Sequence, residues 1–125
     1  MKNPPDNRRP TASASANSTQ NGGTVPRNPE AIYDGAQLAA KLSALPGWTG
    51  GDGWLQREYK TDGWRSTMLL VNAISFFAEA ANHHPDLEVH WGSVVVRLQT
   101  HSAGGITDKD LQLAERIEAT AAWRP

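Results

Sequence analysis

The chain has 125 residues, a formal net charge of −1 and no cysteine. That length supports one domain and leaves too little chain for two comfortable cores, and the near-neutral charge offers no broad footprint for nucleic acid. Without cysteine there are no disulfides, thiolate nucleophiles or cysteine-based zinc and iron–sulfur sites, and the apolar runs are too short and interrupted for a membrane-spanning helix.

Residues 1–30, "MKNPPDNRRPTASASANSTQNGGTVPRNPE", are rich in Pro, Ser, Thr, Asn and Gly and almost free of large apolar residues. Such a segment cannot bury enough surface to offset its chain entropy. It reads as a disordered tail ahead of a folded domain at residues 31–125. It holds nothing like the apolar stretch of a signal peptide. Arg8 and Arg9 among Ser and Ala hint at a transit peptide, but no amphipathic periodicity accompanies them, and a plain flexible extension is the simpler reading.

Asp34 can cap a first helix, in which Leu38, Leu42 and Leu45 form one apolar stripe. Pro46-Gly47 stops it. "WTGGDGW" reads as a tight connection, and "WLQREYK" alternates as a strand does. Asp62 is a good cap for a second, longer helix with Trp64, Met68 or Thr67, Val71, Ile74 or Ser75, Ala78 and Ala81 on one side. Leu69, Leu70, Phe76 and Phe77 lie on other sides, so this helix is either deeply buried or meets another subunit. After Pro85, "DLEVHW" is a short strand, Gly92-Ser93 a turn, and "VVVRLQTH" a β-branched strand ended by "SAGG". Thr107 caps a last helix, with Asp110 completing a capping-box-like pattern and Leu111, Ala114 and Ile117 along its stripe. Helices set among hairpin-paired strands argue an α+β fold, an antiparallel sheet with helices on one face.

Three of the four histidines, His83, His84 and His90, fall within eight residues. Pro85 forces His84 out of helical conformation, so the second helix ends near His83 and the two adjacent imidazoles leave the backbone in different directions. Neighbouring ligands that diverge chelate one ion poorly, and no recognised metal-ligand spacing is present; no metal is expected. Acid–base work fits better, because an imidazole with a pKa of about 6.5 both gives and takes protons near neutrality. Glu79, one helical turn back, is placed to orient His83. The plainer alternatives stand beside this. Histidine at a helix C-terminus caps carbonyls, Asp110 is explained by its helix start, Trp48 by the core, and His90 by an outward strand position.

Read together, the segments carry a longer pattern: Glu79, three residues, His83-His84-Pro85, five residues, Trp91, nine residues, His101, then Asp110. This resembles the signature of the pterin-4a-carbinolamine dehydratases. "THSAGGITDKDLQLAERIE" is similar to the family's C-terminal stretch, and "PGW" at Pro46 to Trp48 to its Gly-Trp after the first helix. The resemblance covers about residues 36–119 and leaves out the tail. It implies a four-stranded antiparallel sheet with three helices packed on one face. It also implies dehydration of 4a-hydroxytetrahydropterin to quinonoid dihydropterin, with His83, His84 and His101 as catalytic residues and Trp48, Glu79 and Asp110 binding substrate or supporting the site. No metal or organic cofactor is implied, and a cytoplasmic homodimer or homotetramer is expected. Trp48 is a candidate to stack on a flat heteroaromatic, and Trp91 to pack behind the histidines. The family resemblance also leaves a second class open, a non-catalytic binding protein such as a RuBisCO assembly factor or a partner of a homeodomain factor. The intact histidines favour the enzyme.

Overall fold

The computed structural model describes residues 27–122. Helix α1 spans Gly35–Leu42, followed by strands β1 (Thr49–Gly51) and β2 (Trp54–Lys60), helix α2 (Trp64–Ala81), strands β3 (Asp86–His90) and β4 (Ser93–Leu98), and helix α3 (Asp108–Ala121). The sheet is antiparallel throughout, in the order β1-β2-β4-β3. This is the α+β arrangement expected, with one refinement. The "WTGGDGW" connection is itself a hairpin, with Gly51 paired to Trp54. Asp52 and Gly53 both take positive φ, 54° and 82°, as a two-residue primed turn requires. Glycine-rich β1 has little strand propensity of its own and is strand only because β2 offers a ladder.

Alternation along the strands decides which face is core. Leu55 and Tyr59 of β2 and Val94, Val96 and Leu98 of β4 are buried, while Gln56, Glu58 and Lys60 face out. The inner row packs with Ile74 and Ala78 of α2 and with Leu111, Leu113, Ala114 and Ile117 of α3; Leu38 and Leu42 of α1 lean on the same cluster. Each fully buried aliphatic side chain contributes roughly 1.5–3 kcal/mol. On the outer face Arg97 donates to Gln56 Oε1 at 2.9 Å and to Glu88 Oε1 at 2.8 Å, tying three strands together.

The helix boundaries differ in detail from the sequence reading. Asp34 caps α1 as expected, through a reciprocal box with Gln37, but α1 ends before Pro46, its chain tightening into turns that bond Ala44 to Lys41 and Leu45 to Leu42. Gly63, not Asp62, precedes the first turn of α2; the Asp62 carboxylate accepts from the Ser66 hydroxyl at 2.6 Å instead. The buried stripe of α2 is Thr67, Ile74 and Ala78, flanked by half-buried Leu70, Val71 and Phe77. Trp64 is 52% exposed, Leu69 46% and Phe76 69%. The four residues expected on a free face therefore divide: Leu70 and Phe77 join the core, and Leu69 and Phe76 stay in solvent.

Most of the tail expected over residues 1–30 lies outside the described residues. Its end is tied down. The Arg27 guanidinium lies 3.9 Å over the Tyr33 ring and 3.2 Å from Asp108. Glu30 accepts from Ser102 at 2.7 Å and pairs with Lys109.

A polar knot closes the far end of the core. Glu118 Oε1 accepts from Tyr59 OH at 2.6 Å, Trp48 Nε1 at 2.9 Å and Arg57 Nε at 3.4 Å. Gly47 has φ +89°, which favours glycine, and the Arg57 guanidinium lies so close that a Cβ there would sit 2.6 Å from its carbon and displace the side chain. Burial works to raise the Glu118 pKa, but the hydrogen bonds from Tyr59, Trp48 and Arg57 outweigh it and hold it below the ordinary 4.5. Burial and the bond to Glu118 push the Tyr59 phenol up. A depressed carboxyl pKa adds stability that is present above the unfolded value and is lost as pH falls through the folded one. The expectation is that Glu118→Gln flattens the acid side of the stability profile: urea midpoints of wild type fall more steeply from pH 6 to pH 3 than those of the variant. Parallel profiles would remove the knot from the stability of this end.

Candidate active site

The end of α2 sets the geometry of both adjacent histidines. Asn82 takes a left-handed conformation, φ 51°, one that asparagine tolerates better than most residues. The His83 N–H then bonds back to the Ala78 carbonyl at 3.0 Å, closing the helix as a Schellman turn does. This turn swings His83 off the α2 face toward α3, and Pro85 sends His84 the other way into β3.

His83 Nε2 lies 2.6 Å from Asp110 Oδ1 at the start of α3; the histidine side chain is 11% exposed and the aspartate 0%. His84 Nε2 lies 2.9 Å from Glu79 Oε1, with both groups in solvent. The Glu79 carboxylate thus serves His84, not His83, because the left-handed turn removes His83 from the position four residues along the helix. The two imidazoles also open onto different hollows. His83 lines a cavity of about 280 Å³ with Asn82, Lys109, Gln112, Leu113 and Arg116. His84 lines one of about 210 Å³ with Glu79, Pro85 and Leu87. The first is near the lower end of the roughly 300–1,000 Å³ range of small-molecule clefts.

Asp110 does two jobs. Its Oδ2 accepts the Thr107 N–H at 2.9 Å, completing the capping box of α3, and the Thr100 hydroxyl at 2.8 Å. That leaves Oδ1 for His83. A carboxylate is acceptor-only, so His83 carries a proton on Nε2 in this pairing, and Nδ1 is its remaining nitrogen for other chemistry. The capping role read from the sequence and the histidine pairing coexist on opposite oxygens of one group.

His101 sits in solvent, in the turn between Thr100 and Gly105, which are paired with each other. It is not on the strand: β4 ends at Leu98. Its ring meets Trp54 edge-on, centroids 5.6 Å apart. Thr100, its neighbour in the chain, touches Asp110, so the turn carrying His101 is anchored to the His83 partner. Trp48 is elsewhere. It is 3% exposed, packed edge-on against Tyr59 and bonded to Glu118, with no open ring face in this chain. Trp91 is not behind the histidines either: it is 68% exposed and lies against Gly63. His90 faces outward and meets Glu88 at 3.2 Å.

Sequence reasoning passed over Thr100, and over the side chains of Lys109, Gln112 and Arg116 that line the His83 cavity. The period of α3 from Lys109 to Arg116 carried a signal for the last three, since they alternate with its buried stripe. Among the described residues, no group of three His, Asp or Glu side chains is placed to hold a metal ion, and no helix is long and apolar enough to cross a membrane.

Comparison with known proteins adds independent findings. The family model described as pterin 4 alpha carbinolamine dehydratase matches residues 32–120. A protein of Aquifex aeolicus, provisionally named a pterin-4-alpha-carbinolamine dehydratase, is 45% identical over 82 residues, covering 66% of this chain and 83% of that one. One of Mycobacteroides abscessus with the same provisional name is 43% identical over 88 residues, covering 70% and 94%. A crystal structure described as a transcriptional coactivator/pterin dehydratase from Brucella melitensis superposes with a TM-score of 0.69 at 27% identity, over 73% of this chain and 99% of that one. A pterin dehydratase-like protein identified as a RuBisCO assembly factor in the alpha-carboxysome shares the fold, with a TM-score of 0.51 at 17% identity, over 59% and 86%.

Proposed function

Because the chain belongs to the pterin 4 alpha carbinolamine dehydratase family, whose model spans residues 32–120, we propose that it removes water from a 4a-hydroxytetrahydropterin to give the quinonoid dihydropterin, by histidine acid–base catalysis. The observation that carries this is the His83–Asp110 pair at 2.6 Å on the wall of a cavity. The substrate bears a hydroxyl on a ring carbon next to a nitrogen. A proton reaches the hydroxyl oxygen, the carbon–oxygen bond breaks, and water leaves. The electrons of the adjacent N–H bond form the carbon–nitrogen double bond as that proton is taken up. Protons balance, and neither metal nor redox partner is required. His83, oriented by Asp110, handles one of the two transfers through Nδ1. For the other the family pattern offers His101, whose turn is anchored to Asp110 through Thr100, and His84, which reaches the substrate only if the ring extends beyond the His83 cavity toward the second hollow. A positioned group of this kind contributes roughly 10²–10⁴-fold to rate.

The purified protein should turn over chemically generated carbinolamine. His83→Ala should lose on the order of 10²-fold or more in kcat, and His84→Ala and His101→Ala should lose activity as well. Undiminished turnover in all three variants would sink the assignment.

A self-association surface is proposed on α2. Leu69 and Phe76 stand seven residues apart, so they lie on one helix face, and both are exposed. A second copy of the chain covering that face would bury two large apolar side chains that otherwise sit in water. The same face would serve the binding-protein alternative. Leu69→Glu with Phe76→Glu should reduce the mass seen by light scattering at micromolar concentration; a wild type that is monomeric there would dismiss the surface.

A further inference from the structure

One buried polar chain behind His83 is not used by the steps above. The Lys109 backbone N–H donates to Thr107 Oγ1 at 3.2 Å. The Thr100 hydroxyl donates its one hydrogen to Asp110 Oδ2 at 2.8 Å, so across the 2.7 Å contact between the two threonines it is the Thr107 hydroxyl that donates to Thr100 Oγ1. Thr100 is 2% exposed, and Thr107 and Asp110 are both 0%. Each hydroxyl has one hydrogen, so the chain runs in one direction only. It ends by saturating Oδ2, which already holds the Thr107 N–H, and so reserves Oδ1 for His83.

We propose that Thr100 is a positioning residue for His83: its hydroxyl fixes the Asp110 carboxylate, which in turn holds the His83 imidazole in the Nε2–H form with Nδ1 turned to the substrate. The catalytic part of this proposal rests on the dehydratase reading above; the orienting part does not. Thr100 stands between β4 and the turn bearing His101, so the same side chain couples that turn to Asp110. Replacing the hydroxyl with a methyl group of nearly the same size leaves Oδ2 with one donor and leaves the Thr107 hydroxyl without its acceptor. The carboxylate then gains freedom to rotate, and the two imidazole tautomers become competitive. In metal sites, removing the outer partner that orients an imidazole lowers metal affinity or activity on the order of 10–100-fold, and a loss at the lower end of that range is expected for this hydrogen-bonded pair.

The decisive measurement is nitrogen-15 NMR of the histidine side chains in the full-length protein, at a pH where His83 is neutral. Wild type should show His83 protonated on Nε2. Thr100→Val should show a mixture of tautomers, with kcat reduced about 10-fold or more and KM nearly unchanged, and Thr100→Ser should restore both the tautomer and the rate. Thr67→Val serves as the control: it deletes another buried hydroxyl, one bonded to Thr61 and to the Trp91 carbonyl, and should leave the His83 signal and kcat as in wild type. A wild-type His83 protonated on Nδ1 overturns the proposal even if no variant folds. A Thr100→Val protein with wild-type tautomer and kcat overturns it too. Loss of the tautomer in Thr100→Val from a wild type that turns over no carbinolamine supports the positioning role and removes the dehydratase reading.

Discussion

A carboxylate withdrawn from water must find donors for both oxygens, or its burial costs several kcal/mol. Asp110 meets that condition with three: the Thr107 N–H and Thr100 hydroxyl on one oxygen, and His83 Nε2 on the other. Much of the site follows from this. The start of α3 is fixed because its cap is the same carboxylate. The end of α2 is fixed because His83 must reach it. The turn carrying His101 is fixed because Thr100 is one of the donors.

The sheet supplies the rigidity that makes such a constraint useful. The β2–β4 and β3–β4 ladders hold the strand that leads into Thr100, and the buried rows of β4 and α3 pack on each other. At the far end of α3, Glu118 plays an analogous part with Trp48, Tyr59 and Arg57, so the helix is pinned by a carboxylate at both ends. One of these knots faces a cavity with an imidazole on its wall; the other closes the core. The same chemistry therefore serves orientation at one end and stability at the other.

The order of elements was legible in the sequence, because alternation in β2 and β4 and the stripe of α3 are strong periodic signals. So was the separation of His83 from His84, since Pro85 takes His84 out of the helix; the left-handed Asn82 that turns His83 toward α3 was not. What could not be read was which carboxylate each histidine meets. Glu79 lies four residues before His83, yet Asn82 turns left-handed and hands Glu79 to His84; that choice depends on where α3 packs. Trp48 illustrates a similar gap. Its place after the first helix suited a core side chain or a surface for stacking a flat ring, and contacts with Tyr59 and with Glu118, seventy residues away, hold it in the core. The residues of β1 read only as a tight connection, because Thr49-Gly50-Gly51 has no strand signal of its own. Leu69 and Leu70 are adjacent and equally apolar, and only packing divides solvent from core.

The pterin's place against His83 is the point on which the functional reading turns. A crystal structure of the protein with a bound, non-reacting reduced pterin tests it most directly. The expected result is the ring in the cavity beside Asn82 and Lys109, with His83 Nδ1 within hydrogen-bond distance of the ring and Nε2 still on Asp110. A pterin bound elsewhere, with the His83 cavity empty and its imidazole unengaged, would contradict it.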